Sequence, residues 1–122
     1  MLPPAARLRH RDDFVAVLRH GRRAARGALV VHLLIDAAGC DASGSGPRVG
    51  LVVGRGVGGA VRRNEVSRRL RHLMRPRLRR LPDQTRLVVR ALPAAAGRSS
   101  VALGQDLDAT LDRLLPARVG TS

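Results

Sequence analysis

Nine arginines crowd residues 60–80, at positions 62, 63, 68, 69, 71, 75, 77, 79 and 80, and Glu65 is the only acid among them. A segment this charged folds only if an apolar stripe pins it to something. Val66, Leu70, Leu73 and Met74 supply that stripe, since their spacing of i, i+4, i+7, i+8 marks one face of an amphipathic helix. The spacing predicts a helix starting near Gly59 or Ala60. Pro76 should kink or end its regular part, with helical spacing resuming through Leu78 and Leu81. Arg68, Arg71 and Arg75 fall at i, i+3, i+7 and lie along a second face, flanked by Arg62, Arg69 and Asn64. Like charges one turn apart destabilise a helix, and ordinary solvated faces mix their signs. An uncompensated arginine ridge therefore points to a polyanion, with phosphate as the natural partner.

The rest of the chain repeats this bias. It carries 23 basic residues, all of them arginine, against 9 acidic ones, for a formal net charge of +14. Arginine keeps its charge and presents a planar fork that matches phosphate oxygens. A membrane surface is the competing polyanion, but no apolar run approaches the roughly 20 residues that span a bilayer. The Leu2–Arg7 stretch is too short for a signal peptide and is broken by charge. Cys40 stands alone in a Gly/Ser segment, so it makes neither an internal disulfide nor a cysteine-based zinc site. A cytoplasmic protein is expected, with no membrane partner and no obligate protein partner.

A length of 122 residues predicts one domain over 1–122, with an ordered core at about 7–115. Phe14 is the only aromatic residue, so the core must be aliphatic. A first helix runs from Asp12, a candidate cap followed by Asp13, to Gly21, with Phe14, Val17 and Leu18 on its apolar face. Arg22–Arg26 reads as a short basic connection with a little extended structure. Ala28–Ile35 and Arg48–Val53 read as strands joined by a loop over 36–47. After the arginine helix, Pro82-Asp83-Gln84 makes a turn and Arg86–Ala91 a third strand. Pro93–Ser100 is a loop. A last helix over about Ser100–Leu115 has Leu103, Leu107, Leu111, Leu114 and Leu115 on one face. Its Asp106, Asp108 and Asp112 are expected on a solvent side, away from the polyanion. The order α, β, β, α, β, α indicates an α+β or α/β sandwich.

Catalysis finds no foothold. His10, His20, His32 and His72 have no metal-type partner at i+4 and no cysteine companion. Asp12 and Asp13 diverge by about 100° on a helix. The remaining acids do not gather in a basic groove as a two-metal nuclease requires, and no nucleophile turn is present. The glycine cluster Gly54–Gly59 lacks the Gly-Lys-Ser/Thr of a phosphate-binding loop. No catalytic residue and no protein-bound metal is expected. Zinc-finger spacing, a basic zipper and a helix-turn-helix are also missing. An arginine helix seated on a sheet suits RNA, which is recognised by backbone shape and 2′-hydroxyls. A ribosomal or ribosome-associated RNA-binding protein would share this composition, and a DNA-coating protein is a third class.

Two blocks carry a family likeness. The first is Leu8-Arg9-His10-Arg11-Asp12-Asp13-Phe14 with Val17-Leu18-Arg19-His20-Gly21. The second is Arg48-Val49-Gly50-Leu51-Val52-Val53, then Val57-Gly58-Gly59-Ala60-Val61-Arg62-Arg63-Asn64 and Arg68-Arg69-Leu70-Arg71. Together they resemble the protein subunit of bacterial ribonuclease P. The family signature centres on Arg-Asn-Arg followed by further basic residues. Arg63, Asn64, Arg68 and Arg71 match it, while Glu65 and Ser67 replace basic positions and Arg62 and Arg69 stand beside them. The resemblance implies an α+β fold, a two-layer α/β sandwich of four strands and about three helices with a left-handed βαβ crossover (ribosomal protein S5 domain 2-like). It implies a partner, the ribonuclease P RNA, whose Mg²⁺ ions, held by that RNA and the substrate and not by the protein alone, cleave precursor tRNA. It also implies RNA binding through Arg62, Arg63, Asn64, Arg68, Arg69, Arg71 and Arg75. A cleft for the 5′ leader falls on Phe14, Leu18, Val30 and His32. Phe14 and Leu18 share a helical face, and Val30 and His32 share a strand face. The residues alone leave Phe14 and His32 open to either packing or stacking.

Overall fold

A computed structural model of the chain describes residues 11–35, 47–81 and 85–115. The basic lead-in with His10, the segment with Cys40, the 82–84 turn and the tail after 115 lie outside the described residues, as do the side chains of Asp12 and Asp13. Helix α1 spans Arg11–His20. Strands β1 (Arg22–Arg26), β2 (Leu29–Ile35) and β3 (Arg48–Val53) precede helix α2 (Ala60–Arg77). Strand β4 (Thr85–Ala91) and helix α3 (Ser100–Leu114) complete the order. The four strands form one mixed sheet in the order β1-β2-β4-β3. β1–β2 and β2–β4 are antiparallel; β3 and β4 are parallel and joined through α2.

Period-2 alternation sorts the central strands between two faces. Leu29, Val31 and Leu33 of β2, with Leu87, Val89 and Ala91 of β4, enter the main core. Val66, Leu70 and Met74 of α2 meet them there, as do Leu103, Leu107 and Leu111 of α3. Each fully buried aliphatic side chain contributes about 1.5–3 kcal/mol of transfer free energy. On the other face, Val88 packs under Val17 of α1, with Phe14, Leu34 and Val52 around them. α2 and α3 thus form the helical layer on one side of the sheet, and α1 crosses the opposite side.

One local expectation is corrected and two are refined. Arg22–Arg26 is a full edge strand, paired from Arg22↔Leu33 to Arg26↔Leu29. Gly27 makes the hairpin possible, because its φ of +57° at the first turn position is one that L side chains rarely adopt. Pro76 lies in the last turn of α2, whose regular part ends one residue later at Arg77 and gives way to a 3₁₀ turn at Leu78–Arg80. A proline this close to the helix end costs little, since it removes one terminal bond, and Arg77 Nη1 donates to the nearby Leu73 carbonyl at 2.6 Å. Pro93–Gly97 is a 3₁₀ turn within the expected loop.

Asp106, expected at the solvent face of α3, is instead buried at 3% exposure. Its Oδ2 accepts from the Ala28 amide at 3.3 Å and lies 2.9 Å from Arg98 Nε, while Oδ1 accepts from Arg98 Nη2 at 3.2 Å. A buried carboxylate survives only when so compensated. A Cβ on Gly27 would sit 2.5–2.7 Å from that carboxylate, so the turn and the acid demand each other.

Candidate nucleic-acid interface

α2 offers two distinct flanks. At about 100° per residue, Asn64, Arg68, Arg71 and Arg75 fall within about 60° of one another. Asn64, Arg68 and Arg75 are exposed and Arg71 half-buried, and they form the outward ridge. Arg62 and Arg69 lie on the opposite flank. Arg69 Nη1 donates to the Arg98 carbonyl at 3.3 Å, so its guanidinium is engaged with the loop before α3. The expected set is therefore divided: Asn64, Arg68, Arg71 and Arg75 share one surface, and Arg62 and Arg69 share another. Glu65, the reversed charge, falls between the two groups, one turn from both Arg68 and Arg69.

Arg63 turns toward the sheet edge. With Ala60, Asn64 and Ser67 of α2 and Leu51 and Val53 of β3 it lines an open pocket of about 330 Å³. Its Nε is buried and has no hydrogen-bond partner. Ser67 Oγ accepts from Arg71 Nη2 at 3.0 Å on the same wall. The remaining arginines of this segment behave differently. Arg77 forms a fork on Asp108, Nε to Oδ1 at 2.8 Å and Nη2 to Oδ2 at 3.0 Å. Arg80 reaches Asp108 at 3.5 Å and Asp112 at 2.5 Å. The Arg77 hydrogen bond is the chief reason that the Asp108 carboxyl is held below its ordinary value of 3.8. The acids of α3 thus tie down arginines at the helix end and leave the outward ridge uncompensated.

The second surface is the sheet face beneath α1. Strand register places Arg23, His32, Val88 and Gly50 in one row across β1, β2, β4 and β3, and Ala25, Val30, Arg90 and Val52 in the next row on the same face. Val30 and His32 lie on this face, Phe14 packs on it, and Leu18 stands one turn along α1 from Phe14. Leu18 is 44% exposed and Phe14 half-buried, whereas Val30 and His32 are nearly closed off at 5% and 9%. Phe14 packs beside the Val17–Val88 pair, as its packing reading expects, and is only partly buried there. The sequence reading missed Arg23 and Arg90, exposed arginines that flank His32 and Val30. A signal existed: Arg86, Val88 and Arg90 alternate along β4 and must share a face. Burial first, then the charges of Arg23 and Arg90, pull the His32 imidazole below its ordinary 6.5, which keeps it neutral at pH 7. A neutral imidazole can both donate and accept a hydrogen bond.

Among the described residues, no three of His, Cys, Asp and Glu gather as a metal-holding group. No described helix is long and apolar enough to cross a membrane.

Fold and surfaces together define a small basic α+β protein that presents arginine on both sides of one sheet, as a nucleic-acid backbone requires. The family model described as Ribonuclease P matches residues 2–115. The chain is 55% identical over 118 residues to the ribonuclease P protein component of Streptomyces avermitilis, covering 94% of this chain and 96% of that one. Its identity to the Mycobacterium avium ribonuclease P protein component is 48% over 120 residues, covering 98% and 99%. In fold it is similar to the RNase P proteins of Staphylococcus aureus (TM-score 0.76, 20% identity, 88% of this chain and 94% of that one) and Thermotoga maritima (TM-score 0.74, 24% identity, 90% and 98%). The chain belongs to the ribonuclease P protein family. The ribosomal alternative finds no support in these comparisons.

Proposed function

We propose that the chain works as the non-catalytic protein subunit of ribonuclease P, joining the catalytic RNA to precursor tRNA so that the 5′ leader is removed endonucleolytically. The observation that carries this reading is the pair of arginine surfaces on opposite sides of one sheet, in a chain that belongs to this family. Asn64, Arg68, Arg71 and Arg75, with Arg63 at the pocket, take the phosphates of the catalytic RNA, and Arg62 and Arg69 add charge on the other flank. Phe14, Leu18 and His32, with Val30 beneath and Arg23 and Arg90 beside them, take the single-stranded leader, because an unstacked strand needs a π or apolar platform with cations at its edge. Mg²⁺ held by the RNA and its substrate supplies the hydrolytic chemistry. The protein's residues bind and orient, and neutralise phosphate charge that would otherwise repel the two RNAs. The reaction belongs in the cytoplasm, where precursor tRNA is made.

Reconstitution tests this directly. Adding the protein to a ribonuclease P RNA at low Mg²⁺ should raise cleavage of precursor tRNA well above the RNA alone. Cleavage no better than with RNA alone overturns the proposal. Equal affinity for duplex DNA and structured RNA at matched salt would favour a DNA-coating role instead.

A further inference from the structure

Ser67 stands where basic residues are usual in the family signature, yet it lines the pocket with Arg63 and Asn64, and its hydroxyl accepts from Arg71 Nη2 at 3.0 Å. We infer that Ser67 is a positioning residue: it holds the Arg71 guanidinium at the mouth of the Leu51/Val53/Arg63/Asn64 pocket, so that Arg71 and Arg63 close on one RNA backbone phosphate from two sides. Three observations converge on it. Arg63 Nε is buried in that region with no hydrogen-bond partner, a donor awaiting an acceptor. Arg71, half-buried on the ridge, has one of its long side chain's ends fixed, which lowers the entropy lost when a phosphate binds. Glu65 is two residues from Arg63 and six from Arg71, spacings that share no helical face, so nothing acidic on the helix competes for either guanidinium. Leu51 and Val53 give the open pocket an apolar part to its lining, beside which a charge-assisted contact is less solvated. A hydroxyl thus replaces a charge: one fewer cation is present, and a neighbouring one is better aimed.

The inference rests on the ribonuclease P reading, and its test separates the two. The affinity of the protein for a ribonuclease P RNA is measured over a salt series for the native chain, Ser67→Ala, Ser67→Thr, Arg71→Ala and the Ser67→Ala/Arg71→Ala double variant. Ser67→Ala should weaken binding about fivefold, the scale of one ordinary intramolecular hydrogen bond at a part-exposed site. Ser67→Thr, which keeps the hydroxyl, should restore binding to within about twofold. In the Arg71→Ala background, removing the hydroxyl should have no further effect. Alanine is the better helix former, so Ser67→Ala leaves the thermal melt unchanged or raised. An equal loss in both backgrounds means that Ser67 acts without Arg71 and overturns the inference, as does no loss in the native background. If the native chain itself shows no preference for this RNA over an unrelated structured RNA, the functional reading falls and the inference with it.

Discussion

Arg77 and Asp108 meet as a fork on a carboxylate, with Nε–Oδ1 and Nη2–Oδ2 separations of 2.8 and 3.0 Å, and this pairing locks the end of the arginine helix to α3. Two parallel bonds give the pair a geometric definition that a surface ion pair lacks. Asp108 is 48% exposed on its side chain, so solvent screening reduces its value. Asp108→Asn should lower stability by about 0.5–1.5 kcal/mol, read by urea unfolding. The native chain should also lose stability as pH falls below about 3.8, because the folded carboxyl is held below that value and the unfolded one takes up its proton first. Asp108→Asn should blunt this acid dependence. An unchanged profile would remove the pair from the stability account.

Asp106 should matter more than Asp108. Its removal leaves the Ala28 amide unpaired and takes from Arg98 a buried partner. Asp106→Ala is expected to cost about 2–4 kcal/mol, read as a shift in the urea midpoint. Gly27→Ala strikes the same junction from the other side, through both its positive φ and the close carboxylate. It should cost at least about 1 kcal/mol by the same measurement.

The outward ridge makes a salt-dependence prediction. Replacing Arg68 and Arg75 together by alanine should reduce the log–log salt slope of RNA binding by about 1.4–1.8, two phosphate contacts' worth. Glu65→Gln removes no phosphate contact and should leave that slope unchanged. A slope that ignores Arg68 and Arg75 while responding to Glu65 would overturn the assignment of phosphate contacts to the ridge.

Phe14→Ala should impair cleavage of precursor tRNA carrying a 5′ leader more than binding of leaderless tRNA, by about tenfold for a stacking contact worth 1–3 kcal/mol. A matching loss on both RNAs would place Phe14 in the core alone.

His32 provides a pH signature. Its folded imidazole titrates below 6.5, so stability is complete above that pH and declines as pH falls through 6.5 toward the folded value, where the unfolded chain binds the proton first. Thermal melts of the native chain between pH 7.5 and 5 should fall further than those of His32→Gln. Parallel curves would show that another group sets the slope.

Much of this was legible in the sequence. The Val66/Leu70/Met74 stripe and the leucine face of α3 declare themselves because a 3.6-residue period is strong over four turns. β1 was hidden because only Ala24 of its five residues is buried, leaving no apolar alternation to read. Asp106 was misplaced because its burial depends on Arg98 and on the Gly27 turn, and the Ala28 amide is 78 positions away in the chain. The ridge was found by spacing, but its separation from Arg69 depended on the Arg98 carbonyl, which no periodicity reveals. The four cleft residues were paired correctly within each element, and only strand register could bring Arg23 beside His32.

β1 also has a consequence for the free protein. Among the described residues its outer margin pairs with no further strand, and such a sheet edge is the place where a foreign strand most readily adds. Arg22, Arg23 and Arg26 stand exposed along it. Two copies approaching through this margin would set like charges directly opposite one another, which β pairing does not tolerate. The cationic excess that draws the chain to a polyanion therefore also guards it against self-association, and excess counter-charge, from heparin for example, lifts that guard.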